Sequence, residues 1–171
     1  VGGGLGSEVL LTLMMRIEQL HYFQWRVSKL VKFNFERIGG GVPSGFDLGE
    51  MEIFSDGDYI SSKKDKRLRM MVYLSIVNLI DSLLRLRNKK KIEFFSVDSS
   101  FSFSLYWRDG GVCVYSKGVM LGPFKFYEIL SSVEMGVVRF INDGNGLAKD
   151  DAVSHDLDGA LSDLRLTIER G

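Results

Sequence analysis

The chain of 171 residues predicts one α+β domain, an antiparallel or mixed sheet packed by a long central helix and by C-terminal helices. Three observations predict it. Aromatic and β-branched residues alternate with polar ones over 22–27, 31–35 and 101–107, the period of strands with one buried face. Apolar residues recur at helical spacing over 63–87 and again after Pro123. Asp-Gly pairs at 56–57 and 109–110 each separate two apolar runs, where a two-residue hairpin turn demands positive φ. The length suits a single domain burying about 70% of its unfolded surface, so no metal or disulfide staple is needed. No repeat or long linker divides it, and the domain is expected to span 14–171.

In order, the chain opens on Val1 and a glycine-rich run through Gly6. Glycine loses the most backbone entropy on ordering, so residues 1–13 are expected to be a disordered or non-native leader, with Met14 or Met15 as the alternative start. Phe23, Trp25 and Val27 make one strand face, and Val31, Phe33 and Phe35 make another, with Ser28-Lys29 as a turn or bulge between them. Glycines 39–41, Pro43 and Gly45 form a loop. Glu50 to Ile60 reads as a hairpin around Asp56-Gly57.

Leu68, Val72, Ile76, Leu79, Ile80 and Leu83 paint one apolar stripe, which predicts a helix over 63–87. Ser62 is its expected cap, with Asp65 near the positive end and Lys89 to Lys91 past the negative end. The second hairpin pairs Trp107 with Val112 and Leu105 with Val114 across Asp109-Gly110. That register puts Phe101, Phe103, Leu105 and Trp107 on the core face with both valines. Ser102, Ser104, Tyr106, Arg108, Cys113 and Tyr115 fall on the opposite face.

Pro123 is expected to open a helix through Phe126, Ile129, Leu130, Val133, Val137 and Phe140, weakened at Gly136 and ended by Asn142 to Gly146. Leu157, Leu161, Leu164 and Ile168 define a terminal helix over 154–169, whose Thr167-Ile168 end is equally readable as strand.

Composition excludes several classes. One Cys makes no internal disulfide, and two His with it leave little for a structural zinc site. Aromatic residues make up 12% of the chain, which argues against intrinsic disorder. Its 22 basic and 22 acidic residues cancel, so no whole-molecule field draws in nucleic acid or an anionic membrane. No apolar run reaches the roughly 18 residues of a membrane span. Val9 to Met15 lacks the flanks of a signal peptide, so a cytoplasmic location is expected.

Motifs of chemistry were weighed in turn. The opening glycines fail G-x-G-x-x-G at Ser7 and no strand precedes them. Ser154 to Arg165 places Asp156, Asp158 and Gly159 as a calcium loop would, but Arg165 stands where a bidentate Glu belongs. Cys113 has only His21 and His155 as bases and reads as a half-buried sheet residue. Ser44, between Pro43 and Gly45, is one position off a nucleophile elbow and reads as turn chemistry. Asp98-Ser99-Ser100 is a compact polar cluster that initiates a strand, or orients a serine or cation. Basic residues cluster at 63–69 and 85–91, and acidic ones gather from Asp143 to Asp163.

The run Gly57-Asp58-Tyr59-Ile60-Ser61-Ser62, the helix with Leu74-Ser75-Ile76-Val77-Asn78-Leu79-Ile80-Asp81, and Val97-Asp98-Ser99-Ser100-Phe101 together resemble small bacterial immunity proteins of polymorphic toxin systems. The likeness covers roughly 50–142 and lies in layout. It implies a single α+β domain that neutralises a toxin by binding it, with no cofactor and no chemistry of its own.

The expected function is therefore non-catalytic binding of a cognate protein toxin. Tyr106, Arg108 and Tyr115 on the outward hairpin face are the expected contacts, with Asp56 and Asp58 facing a basic toxin surface. The alternative is a small enzyme or ligand-binding domain using Asp98 and Ser100, and a third reading is self-association through sheet edges. No nucleic-acid or membrane partner is expected, and the oligomeric state stays open.

Overall fold

The computed structural model describes residues 30–170, so the expected leader, the strand at 22–27 and its turn, and His21 lie outside the described residues. Among the described residues, eight strands form two antiparallel four-stranded sheets. In the first, β1 (Lys32–Arg37), β2 (Leu48–Ser55) and β3 (Asp58–Ser61) lie in that order, and the short β4 (Met70–Met71) also pairs with β2. The second is a meander of β5 (Lys91–Phe95), β6 (Ser102–Arg108), β7 (Gly111–Ser116) and β8 (Val119–Phe124). Helices α1 (Val72–Leu86), α2 (Phe126–Phe140) and α3 (Ser154–Glu169) complete the α+β domain.

Three hairpins close through two-residue turns whose central residues both have positive φ: Asp56-Gly57, Asp109-Gly110 and Lys117-Gly118. These primed turns match the twist of the flanking strands and set the register. Ile53 thus faces Ile60, Trp107 faces Val112 and Leu105 faces Val114, as the alternation predicts. Inward residues of both sheets pack on one apolar cluster with α1, whose Ile76, Leu79, Ile80 and Leu83 are wholly buried.

Several expectations are corrected. Helix α1 starts at Val72 rather than near residue 63. Ser62 is not its cap: its Oγ accepts from Met51 N (2.9 Å) and donates to Met51 O (3.3 Å), which ties residue 62 to β2. Asp65 caps a separate 3-10 turn, Lys66–Leu68, by accepting from Arg67 N at 2.9 Å. Lys91, expected only as a cation past the helix's negative end, begins the strand β5.

Pro123 lies in the edge strand β8 and not at a helix start; an edge position needs no further N–H donor. The helix after it begins at Phe126, where Glu128 reaches back to accept from Lys125 N at 3.2 Å. Trp107 is 38% exposed at the end of β6, because its indole N–H donates to Leu86 O (3.1 Å) at the end of α1. Cys113 is fully buried rather than half-buried. The Thr167-Ile168 end is helical.

Helices also cover strand edges. Ser132 Oγ donates to Val31 O at 2.7 Å, seating α2 beside β1. Asn78 Nδ2 donates to Phe95 O at 2.6 Å, and Ser75 Oγ accepts from Val97 N at 2.9 Å, seating α1 beside β5. Such cover leaves fewer open edges for uncontrolled pairing.

Gly136 is the point of closest approach between α2 and β1: a Cβ there would overlap the Phe33 carbonyl oxygen. The residue expected to weaken the helix is thus the one that lets it dock. Gly136→Ala should destabilise the protein by about 1–3 kcal/mol through overpacking. Alanine's helix propensity returns only about 1 kcal/mol. Urea unfolding measures the balance, and a variant more stable than the parent would contradict this packing.

Candidate functional site

The outward face of the second sheet gathers three of the five expected contact residues. Across the meander, Lys91, Tyr106 and Cys113 stand in one row, and Glu93, Ser104, Tyr115 and Met120 stand in the next. Tyr106 OH lies 3.2 Å from Met120 Sδ, and Arg108 Nη1 lies 3.5 Å from the same sulfur, where a thioether accepts weakly. Arg108 also holds Asp109 at 3.3 Å. Tyr115 and Met120 are each 43% exposed and Phe95 is 61% exposed, so this face presents aromatic and thioether surface to solvent. Ser104 Oγ donates to Glu93 at 2.8 Å. The Lys91 ammonium first, and this hydroxyl second, hold the Glu93 carboxyl below its usual range.

Met120 and Phe95 were missed by sequence reasoning, because β8 and β5 were not read as strands. The signals were present: Lys117-Gly118 is a turn pair, and Ile92 and Phe94 alternate with Lys91, Glu93 and Phe95.

A basic rim borders this face. Trp107 N donates to Lys90 O at 3.1 Å, so the end of β6 lies against the segment that leaves α1. Arg87, Lys89 and Lys90 are exposed there, beside Arg108, and none has a carboxylate within 4.0 Å among the described residues. In the basic cluster at 63–69, three of the five cations are paired. Lys63 pairs with Glu36 at 2.8 Å, Arg67 with Asp65 at 2.7 Å and Arg69 with Glu50 at 3.3 Å.

The remaining expected residues are elsewhere. Asp56 and Asp58 occupy the exposed tip of the β2–β3 hairpin, on the other sheet. Asp98, at φ 59°, and the exposed Ser100 sit in the turn between β5 and β6. Ser99 Oγ accepts from Phe101 N at 3.2 Å, so this cluster builds the turn that starts β6. Cys113 is level with Tyr106, about 13 Å of strand from Ser102, so it does not converge with Asp98. Ser44 also serves its turn, its Oγ accepting from Phe46 N at 3.4 Å. The segment from Ser154 to Arg165 is helical and forms no calcium loop. Among the described residues, no group of three or more His, Cys, Asp or Glu could hold a metal ion. No described helix is long and apolar enough to cross a membrane.

A second polar cluster is internal. Arg37 donates to Asn145 Oδ1, Asp47 Oδ2 and Gly41 O, each at 3.0 Å. Tyr73 OH donates to Asn145 O at 2.7 Å, and Asp151 accepts from Gly45 N at 3.0 Å and from Val153 N at 2.8 Å. Those two backbone donors hold the Asp151 carboxyl below its usual range. Every one of these groups is spent on the fold, so the cluster is structural.

Comparison of the chain with protein-family models, with curated proteins and with solved structures returned no match.

Burial pushes the Tyr73 phenol from its ordinary 10 up to about 12. Between pH 10 and 12 the unfolded chain releases a proton that the folded chain retains, so stability falls as pH rises through that window. Tyr73→Phe should cost about 1 kcal/mol at neutral pH by leaving the Asn145 carbonyl without its donor. The gap to the parent should then shrink between pH 10 and 12, because only the parent carries this titration. Urea unfolding across that range checks it, and a constant gap would count against it.

Proposed function

We propose that this chain is a non-catalytic protein-binding protein, an immunity protein that neutralises a cognate bacterial toxin in the cytoplasm by direct contact. One observation carries the reading: the outward face of the second sheet exposes Tyr115, Met120 and Phe95 beside Tyr106 and Arg108. Tyrosine and arginine are the side chains that most often anchor protein interfaces, and methionine adapts to an irregular partner. A standard interface buries about 1,600 Å² in total, about 800 Å² of it on each partner.

The rim adds direction. Arg87, Lys89, Lys90 and Arg108 border the apolar face, which favours an acidic toxin surface and faster encounter at low salt. Occlusion by such contact needs no cofactor and no nucleophile. Asp56 and Asp58 belong to a different hairpin and are not part of this contact face.

The test is capture from a lysate of the source cell with the tag at the C-terminus. The reading expects one stoichiometric protein whose toxic or enzymatic activity falls on mixing. An activity that persists at saturating complex would overturn it. Tyr106→Ala and Arg108→Ala should each weaken that complex by more than about 1 kcal/mol, measured by calorimetry. Unchanged affinity in both would remove this face from the contact.

A further inference from the structure

The two sheets meet where β3 runs beside β8, and a pocket of about 210 Å³ opens at that seam. Its apolar part is Ile60, Leu68, Phe101 and Val119, and its cationic part is Lys64 and Lys117. Lys64 Nζ stands 4.6 Å over the Tyr59 ring, which holds the ammonium at the wall. Neither lysine has a carboxylate within 4.0 Å among the described residues. Asp65 is the one acid in the lining, and Arg67 binds both its oxygens, with Nε at 3.2 and 3.0 Å and Nη2 at 2.7 Å. The lining therefore sets two cations against one carboxylate, and Lys117 acts on that carboxylate along with Arg67.

The hydroxyls match that charge. Ser61 is 6% exposed, and its Oγ accepts from Lys63 N at 3.1 Å, which leaves its own proton to donate. Ser116 spends its proton on Ser102 O at 2.9 Å, while the Ser102 hydroxyl makes no bond within the described fold. The Ser61 and Ser102 hydroxyls thus keep a proton to donate on the polar side of the pocket, and the opposite side is hydrocarbon.

We propose that this seam binds a small carboxylate, an anion with a short apolar or aromatic body. Drug-sized pockets hold about 300–1,000 Å³, so this one admits only a fragment of the size of benzoate or a short branched acid. The carboxylate meets Lys64, Lys117 and the serine hydroxyls, and the body lies on Ile60, Leu68, Phe101 and Val119. Inorganic phosphate would satisfy the cations and leave the apolar half unfilled. The site lies at the end of the second sheet that carries the β7–β8 turn, the other end from the toxin-binding proposal's Arg108 beside the β6–β7 turn, and stands independently of it.

The full chain, labelled with nitrogen-15, is titrated with sodium benzoate and separately with inorganic phosphate at constant ionic strength. Saturable one-to-one shifts confined to the amides around Ser61, Lys64 and Gly118 are expected. Phosphate should bind at least fivefold more weakly. Lys64→Gln and Lys117→Asn should each raise the benzoate Kd at least fivefold, asparagine being chosen because it tolerates the positive φ at 117. Both side chains are exposed, and an otherwise unchanged spectrum verifies the fold of each variant. No saturable shift, shifts centred elsewhere, phosphate equal to benzoate, or a Kd indifferent to both substitutions would each overturn the site.

Discussion

The arrangement of the domain hangs on one guanidinium. Arg37 ends β1 with its side chain about nine-tenths buried, and it binds the 39–47 loop through Asp47 and Gly41 and the end of α2 through Asn145. Asp47 also accepts from Ser44 N through its side chain and from Val72 N through its carbonyl, which fixes where α1 begins. A buried cation is tolerated only when its donors are met, since an unpaired charge in a low-dielectric interior costs several kcal/mol. Here satisfying one cation specifies the relation of a strand, a loop and two helices. Asp151 extends the same logic from that loop to the entry of α3.

That closure decides which surfaces are left for function. The inward faces of both sheets share the apolar cluster, and α2 and α1 supply hydrogen bonds to β1 and to β5 and the turn after it. Among the described residues, the outward faces and the seam between β3 and β8 remain. On the first sheet, Glu36 and Glu50 are matched by Lys63 and Arg69, and Phe54 stacks on Tyr59 at 5.8 Å. Exposed ion pairs of this kind add roughly 0–1 kcal/mol each and leave little charge for a partner. On the second sheet, aromatic and thioether surface is exposed, Arg108 holds Asp109, and Arg87, Lys89 and Lys90 have no carboxylate within 4.0 Å among the described residues. The difference between the faces is one of compensation, not of composition.

What the sequence made legible follows from the range of each interaction. The Asp-Gly turns are local, so the registers of β2–β3 and β6–β7 could be read, and with them the shared face of Tyr106, Arg108 and Tyr115. The Lys117-Gly118 turn has the same positive φ values, but lysine is not a turn residue by preference, and β8 went unread behind it. The start of α1 is set by the Asp47 carbonyl accepting from Val72 N, while Ser62 is held by Met51 of β2, and no periodicity contains either contact. Leu68 continues the apolar stripe by spacing while standing in a separate 3-10 turn. Asp56 and Asp58 were grouped with the hairpin face because nothing local says that the strands divide into two sheets.

The two basic clusters make the same point about charge. In sequence they look alike, each a run of lysines and arginines flanking an apolar stripe. Folding brings Glu36 and Glu50 from β1 and β2 against Lys63 and Arg69 of the first, and among the described residues no carboxylate within 4.0 Å of Arg87, Lys89 or Lys90. Formal neutrality of the whole chain is thus a sum that hides an unbalanced end. Screening over about 8–10 Å at physiological salt makes the local balance, rather than the total, the quantity a partner meets. The local balance is also what separates a surface that only solvates the fold from one with charge left over to bind.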